Sequence, residues 1–493
     1  MDFDFSFGNS GAARPEGEEP FRILVLGGFS GQGGLPLAER KPIRIDIDNF
    51  DGVLARLAPR LTIDVGGASV ALGFSCLDDF HPDDLYARVE LFAGLRGLRQ
   101  ELRDPALFER AAAALGATPV VEAPAEASAD EGAADEGAAD IERLLGRKPS
   151  APPEPRPAAA GGIDELVRRI VAPHVVHDNP QQQQYLAAAD EAIAEHMRGV
   201  LHHPQFQALE ALWRSVETMV RELAGDGTLE IHLMDYSRDA LLKDIAAHAD
   251  DMSRSLIQQV VCGGDDLGAE GRRWSLLASD QSFGPEADEM ALLTLLGAIA
   301  TKAGAPLLAA ARPQLLGCDS VAQLLVPSQW PEADDVAFSA WNALRSSGVA
   351  GFVGLVLPGV LQRLPYGAAT DPVSAFAFEE MAGGRSHQRY LWGPPALALA
   401  TLCGRAFEAA GWQMAPDDEC DLEDLPSHVY REDGEVLQQP CAEVAMGEAA
   451  GSAILARGVM PLLSYRNRNA ARLLRWQSIA APARSLSGRW LAR

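Results

Sequence analysis

No run of 18 or more apolar residues occurs in the 493-residue chain, so no segment is expected to cross a bilayer as a helix. The longest apolar stretches, such as 349–357, have the length of buried strands. Basic side chains are in deficit: 42 Lys and Arg stand against 69 Asp and Glu, a net charge of −27. Nucleic-acid phosphates would be repelled, which argues against a nucleic-acid partner. The start, Met1-Asp2-Phe3-Asp4-Phe5-Ser6-Phe7, lacks the basic residues and apolar block of a secretion signal, so a cytoplasmic location is expected. None of the six cysteines (76, 262, 318, 403, 420, 441) forms a CxxC pair; they read as reduced, mostly buried small hydrophobes.

Signatures of catalysis are missing too. There is no GxSxG, no HExxH, and no kinase or lactamase motif. The glycine-rich loop 27–34 follows a strand but fits neither GxGxxG nor GxxxxGK[ST], and Pro36 with Glu39-Arg40-Lys41 comes next. His174 and His177 have HxxH spacing, and His202-His203 adjoin Pro204. Adjacent side chains on a helix point about 100° apart, so they share an ion poorly; capping before Pro204 suits them better. No catalytic residue, metal or cofactor is expected.

What is present is an alternation of strands and helices interrupted by one biased segment. Residues 1–20 hold an alternating Phe3, Phe5, Phe7 stripe followed by a Gly/Ala/Pro/Glu tether. By local pattern this is a mobile terminus, or a strand that adds to a sheet elsewhere. Residues 21–116 read as a compact α/β unit. It has strands at 21–26 and 43–47 and a helix at 50–57 capped by Asp46 or Asp48. A hairpin across Gly66-Gly67 and two helices complete it. Residues 117–162 are an Ala/Pro/acidic linker, with seven acidic and no basic side chains in 121–140. Within it Ile141, Leu144 and Leu145 fall at i, i+3 and i+4, an amphipathic island.

Residues 163–480 form the larger body. Helices are expected at 163–171, 184–224, 238–247, 285–304 and 395–411, and strands at 229–234, 307–311, 349–357, 438–444 and 454–465. Residues 481–493 are a basic tail. The fold class expected is mixed α/β (α+β): a small α/β domain joined by a disordered acidic linker to a larger mixed-sheet domain. From 451 to the end there are eight Arg and no Asp or Glu. Arg466, Arg468, Arg472 and Arg475 in this stretch are candidates for a basic contact with an acidic neighbour; the alternative is a solvated face.

One segment is more specific than the rest: His202-His203-Pro204-Gln205-Phe206-Gln207-Ala208-Leu209-Glu210-Ala211-Leu212-Trp213-Arg214. It resembles the HHPxFQxLExxWR signature of the large subunit of the type VI secretion contractile sheath. Asp280-Gln281-Ser282-Phe283, Leu364-Pro365-Tyr366-Gly367, Phe376-Ala377-Phe378-Glu379-Glu380, Glu423-Asp424-Leu425-Pro426 and Pro461-Leu462-Leu463-Ser464-Tyr465-Arg466-Asn467 are similar to further pieces of it in order. The first region resembles the small sheath subunit through Pro36-Leu37-Ala38-Glu39-Arg40-Lys41, Ile45-Asp46-Ile47-Asp48-Asn49-Phe50 and Leu77-Asp78-Asp79-Phe80-His81-Pro82.

The resemblance implies a noncatalytic structural protomer, with small and large sheath subunits fused through 117–162. In that phage-tail-like family, subunits pair and stack as a helical tube around an inner tube, on a baseplate. Exchanged strands lace the protomers, and an AAA+ ATPase disassembles the tube. It implies self-association or co-assembly with other sheath subunits. It also makes Phe3, Phe5 and Phe7 candidates for the exchanged strand, and Ile141, Leu144 and Leu145 candidates for ATPase docking. The match to the large subunit ends soon after Tyr465, where the family continues. The alternative is therefore a noncontractile sheath-like accessory, cap or regulatory module.

Overall fold

A computed structural model of the chain describes residues 19–116 and 180–490, apart from 226, 264–272, 333–335, 383 and 433. Phe3, Phe5, Phe7, the 117–162 segment with Ile141, Leu144 and Leu145, and the expected 163–171 helix lie outside the described residues. The chain divides into two compact units, one of Met1–Gly94 with Asp190–Arg493 and one of Leu95–Ala189.

The larger unit is built on a nine-stranded mixed sheet. Its strands are β1 (Phe21–Gly27) and β2 (Ile43–Ile45), then, beyond the separate hairpin β3 (Arg60–Val65) and β4 (Ala68–Gly73), β5 (Leu229–Asp235), β6 (Leu276–Phe283), β7 (Leu307–Ala311) and β8 (Val353–Leu357). Short pairs follow, β9 (Val360–Leu361) with β10 (Trp392–Gly393), and β12 (Val429–Glu432) with β13 (Glu435–Gln438). The sheet is completed by β11 (Asp421–Leu422), β14 (Met460–Ser464) and β15 (Ala471–Leu473), giving the order β11-β15-β14-β8-β7-β6-β1-β5-β2. The middle is parallel; β2 pairs antiparallel with β5 at one end, and β15 pairs antiparallel with both β14 and β11 at the other.

The position of β1 matters most. This strand, from the 21–116 region, lies inside the sheet, with Phe21 to Gly27 in register with Leu229 to Asp235 and Ile23 to Leu26 with Leu276 to Ser279. The cause is visible in the residues. Phe21, Ile23, Leu24, Val25 and Leu26 are all buried, so both faces of the strand need cover, as in parallel sheets flanked by helices. Leu24 and Leu26 join the core beneath the helices 238–247, 256–262 and 287–303. The opposite face of the sheet is covered by helices Pro204–Glu222 and Pro395–Ala410. The β3–β4 hairpin, by contrast, buries every second residue, and Gly66 and Gly67 make its turn with φ of 61° and 84°.

Several boundaries differ from expectation for local reasons. The single helix expected at 184–224 is two, Pro180–Leu201 and Pro204–Glu222. Pro204 disfavours helical backbone at the preceding residue, and His203 is extended at φ −68° and ψ 128°. Neither Asp46 nor Asp48 caps the Phe50–Leu57 helix. Asn49 sits at the cap, and Asp46 and Asn49 exchange side-chain to backbone hydrogen bonds of 3.1 and 3.0 Å. The strand expected at 454–465 is the end of helix Glu448–Ala456 followed by β14, the two separated at Gly458 with φ 88°. The 438–444 strand stops at Gln438, where β13 ends. β6 is not foreseen, because its apolar half gives way to Ser279-Asp280-Gln281-Ser282.

The second unit is small. Leu102, Phe108, Ala111 and Ala189 form its core, with Leu98, Tyr185 and Leu186 against them. The Phe108 and Tyr185 rings meet edge to face at 5.9 Å. Gln182 Nε2 donates to the Leu102 carbonyl at 2.8 Å.

Candidate functional site

The 202–214 motif explains itself once folded. Pro204 opens the helix, and the His203 Nδ1 accepts from the Gln205 amide at 3.3 Å. Phe206, Leu209 and Trp213 follow at helical spacing and are buried. Phe206 meets Phe74 and Phe80 at 6.0 and 5.7 Å. Trp213 meets Phe29 and Phe50 at 5.4 and 5.8 Å, and its Nε1 donates to the Phe29 carbonyl at 3.1 Å. All four aromatic partners come from 21–116, so this helix is a seam between the two sequence regions.

Glu210 sits on the same helix and is fully buried. Its Oε1 accepts from Arg214 Nε and from Arg363 Nε, each at 2.8 Å. Arg363 also reaches Glu380 through Nη1 at 2.8 Å, and its guanidinium lies 4.1 Å from the Tyr366 ring centre. Glu380 further accepts from the Tyr366 amide at 2.8 Å and lies 3.3 Å from His202 Nε2. Burial works against the Glu380 carboxylate, but the Arg363 charge, the His202 imidazole beside it and the Tyr366 amide hydrogen bond outweigh it and hold its pKa at about 2. Burial pushes the Tyr366 hydroxyl up to about 12. Two glutamates and two arginines thus neutralise one another away from water. The motif balances charge in a core.

The glycine-rich loop does similar work. Two of its amides, which in a nucleotide-binding loop would face phosphate, are taken by the chain's own carboxylates, and those of Gly31, Gln32 and Gly33 by backbone carbonyls. Gly28 N–H donates to Asp280 Oδ2 at 3.0 Å, and Ser30 donates through N–H and Oγ–H to Asp235 at 3.0 and 2.7 Å. Arg40 closes over Asp235, with Nη1 2.9 Å from the Asp235 carbonyl and 3.3 Å from its carboxylate. At Gly34, with φ 100°, a Cβ would stand 2.5 Å from Ser30 Oγ, so only glycine lets the loop fold back here. Asp83 provides another seam: it accepts from the Ser374 amide and hydroxyl and from the Ala375 amide at 2.8–3.1 Å.

Asp280 differs from Asp235 in having no arginine. Burial, with Asp235 close by, pushes its pKa up to about 6 from 3.8. An unfolded chain releases this proton near pH 4, so keeping the carboxylate inside costs stability that grows from pH 4 to pH 6 and is fully felt above. Asp280→Asn retains an oxygen for Gly28 and removes the charge. It is expected to stabilise the chain by about 1–3 kcal/mol at pH 7.5 and to have no advantage at pH 4. Thermal melts at both pH values check this; an equal change at both would show that ionisation of Asp280 is not the cause.

The four candidate arginines are all exposed. Arg468 lies 3.7 Å from Glu423 and 5.0 Å from the Tyr465 ring centre. Arg472 on β15 is paired in register with Asp421 on β11, and Tyr465 donates to Asp421 at 2.8 Å. Arg475 donates to Gln477 at 3.1 Å. Other basic residues of the C-terminal region turn inward: Arg457 reaches the Leu316 carbonyl at 3.0 Å, and Arg489 is buried and pairs with the partly exposed Glu19. Leu486 and Trp490 are buried too, so much of 481–490 is packed. Sequence reasoning did not find Glu210, Arg363, Glu380, Asp235 or Asp280 as a set. The available signal was a glutamate on the apolar face of the 204–222 helix, between Phe206 and Trp213.

Among the described residues no group of three or more His, Cys, Asp or Glu could hold a metal ion, and no helix is long and apolar enough to cross a membrane. Comparison with known proteins gives a consistent answer. Residues 183–480 match the family model of the VipB (EvpB) tail sheath N-terminal domain, and residues 6–110 match that of the type VI secretion system protein VipA. Two curated relatives are both from Pseudomonas aeruginosa. The type VI secretion system sheath protein TssC1 is 28% identical over 307 residues, covering 61% of this chain and 62% of the relative. The sheath protein TssB1 is 31% identical over 93 residues, covering 17% of this chain and 54% of the relative. The chain thus spans less than two thirds of either relative.

Proposed function

Because the chain belongs to the tail sheath family of type VI secretion systems, we propose that it is a structural protomer of such a sheath, carrying small- and large-subunit parts in one polypeptide. In this reading copies stack in the cytoplasm as a helical tube on a baseplate around an inner tube. Force comes from repacking between protomers, with no bond chemistry in this chain. The observation that supports it most is the sheet: β1, from the region matched by the small-subunit family, lies between β5 and β6 of the region matched by the large. The two parts therefore make one building block.

In the same reading Phe3, Phe5 and Phe7 form a strand that adds to a neighbouring protomer. Deleting residues 2–7 is expected to abolish tube growth while leaving the melting temperature of the body unchanged; normal tubes from the deletion would remove this role. Ile141, Leu144 and Leu145 are the docking face for a disassembly ATPase. Leu144→Asp should abolish capture by that ATPase's N-terminal domain, and equal capture would discard the assignment. Arg466, Arg468, Arg472 and Arg475 form a contact face towards another acidic subunit. Negative-stain electron microscopy of the protein, alone and with its inner-tube protein, tests the whole reading. Striated tubes are expected; particles that stay monomeric in both conditions would point to a cap instead.

A further inference from the structure

Residue 19, where the described body begins, is held on several sides. Trp412 Nε1 donates to the Glu19 carbonyl at 2.8 Å. Arg489 donates to the Glu19 carboxylate through Nη1 at 3.2 Å and Nη2 at 2.5 Å, and Arg22 Nη1 lies 4.0 Å from it. Arg489 is 3% exposed, and its guanidinium lies 5.1 Å from a Trp412 ring centre. Among the described residues Glu19 is the only carboxylate that pairs with Arg489. Pro20 fixes the next backbone angle. Phe21 is fully buried, its ring 4.8 Å from Phe407 and 5.6 Å from Trp412.

A buried ion pair adds little net stability over apolar packing, but losing one partner is costly, so it commits the chain to one geometry. Here that geometry joins Glu19, two residues before β1, to two distant parts of the chain, the turn after helix Pro395–Ala410 and the C-terminal segment. Any pull on residues 1–18 meets this cluster before it meets the β1 ladder. We propose that Glu19, Arg489 and Trp412 are a load-bearing anchor: tension drawn through a strand donated to a neighbouring copy passes into the C-terminal segment and the 411–413 turn, sparing β1. This rests on the strand exchange of residues 2–7 proposed above.

Single-molecule force spectroscopy on the full chain tests the anchor in two geometries. Handles at Met1 and Gln329 load the root of the N-terminal segment. Handles at Glu39 and Gln329, both exposed, enter beyond β1 and bypass it. Glu19→Gln combined with Arg489→Gln removes both charges, leaving neither buried alone. The dwell time at constant force is expected to shorten about tenfold in the first geometry and to stay unchanged in the second. Trp412→Phe keeps the ring but loses the bond to Glu19; it should act in the same direction if the double variant folds poorly. Equal shortening in both geometries, or none in the first, overturns the anchor. Deleting residues 2–7 leaves these dwell times intact whatever it does to assembly, so failure of the anchor and failure of strand exchange are told apart.

Discussion

Replacing Arg363 by methionine lowers stability at neutral pH by about 3–5 kcal/mol, the cost of leaving buried charge unpaired. Arg363 is 9% exposed and bridges Glu210 and Glu380, which are 0% and 1% exposed. Methionine fills similar space, so the loss is electrostatic more than steric. The pH dependence gives the effect its signature. In the native chain Glu380 has a folded pKa of about 2, below its ordinary 4.5. Its ion pair therefore stabilises fully above pH 4.5 and fades as pH falls towards 2. Without Arg363 the same carboxyl, still buried, holds its proton more tightly, so the deficit of the variant is greatest at pH 7–8 and shrinks towards pH 5. Adding Glu380→Gln to the variant should recover part of the loss at pH 7.5. Urea melts across that range measure all of this, and a deficit independent of pH would show that packing, not charge, is what Arg363 supplies.

Cutting the backbone anywhere in 117–179 leaves the two pieces in one particle, whereas the 180–490 fragment made alone does not fold to a monomer. The distinction follows from β1. Its ladder with β5 and β6 joins residues about 200 and 250 positions apart and is independent of the intervening chain. The Trp213–Phe29, Asp83–Ser374 and Arg22–Glu230 bonds reinforce the same junction. A flexible tether raises the effective concentration of one piece near the other to the millimolar range, but the bonds named here lie within 21–83 and 213–374 and do not depend on it. A protease site inserted at residue 150, cleavage, and size-exclusion chromatography measure the outcome; separate elution would refute it. Without β1, strands β5 and β6 each lose a partner, and open edges of this kind invite aggregation. In the intact chain Leu24→Asp imitates the loss, with a cost above about 4 kcal/mol.

How far this was legible from the sequence depends on the range of the interaction involved. Strands at 21–26, 229–234 and 307–311 and helices at 238–247 and 395–411 fall close to where the residues place them, because apolar runs, periodicity and glycine stops are local. The Gly66-Gly67 hairpin is likewise set by its turn. β6 escaped because only half of it is apolar; at 184–224 the apolar periodicity runs on across Pro204, although capping by His203 before Pro204 marks a new helix start there. The sheet order was not legible at all: nothing within Phe21 to Leu26 says that its partners begin at Leu229 and Leu276. The family resemblance, by contrast, was carried by short motifs. The folded chain shows why they are readable: Glu210, Trp213, Tyr366, Glu380 and Asp280 each satisfy a specific buried partner, so their identities leave little choice.

The placement of β1 inside the sheet, between β5 and β6, also sets a timetable. A ribosome adds roughly 5–20 residues per second. The strand that ends at Gly27 therefore waits roughly 10–50 s before β6, complete at Phe283, has been made. Until Asp235 completes β5 its apolar residues have no strand to pair with, and until Phe283 they have no second one. When small and large parts are separate chains, the waiting strand must find a partner by diffusion, in competition with every other copy. When they share a chain, the partner arrives in cis, once, and in equal number. Fusion thus acts on synthesis: each new chain carries every strand its own sheet needs.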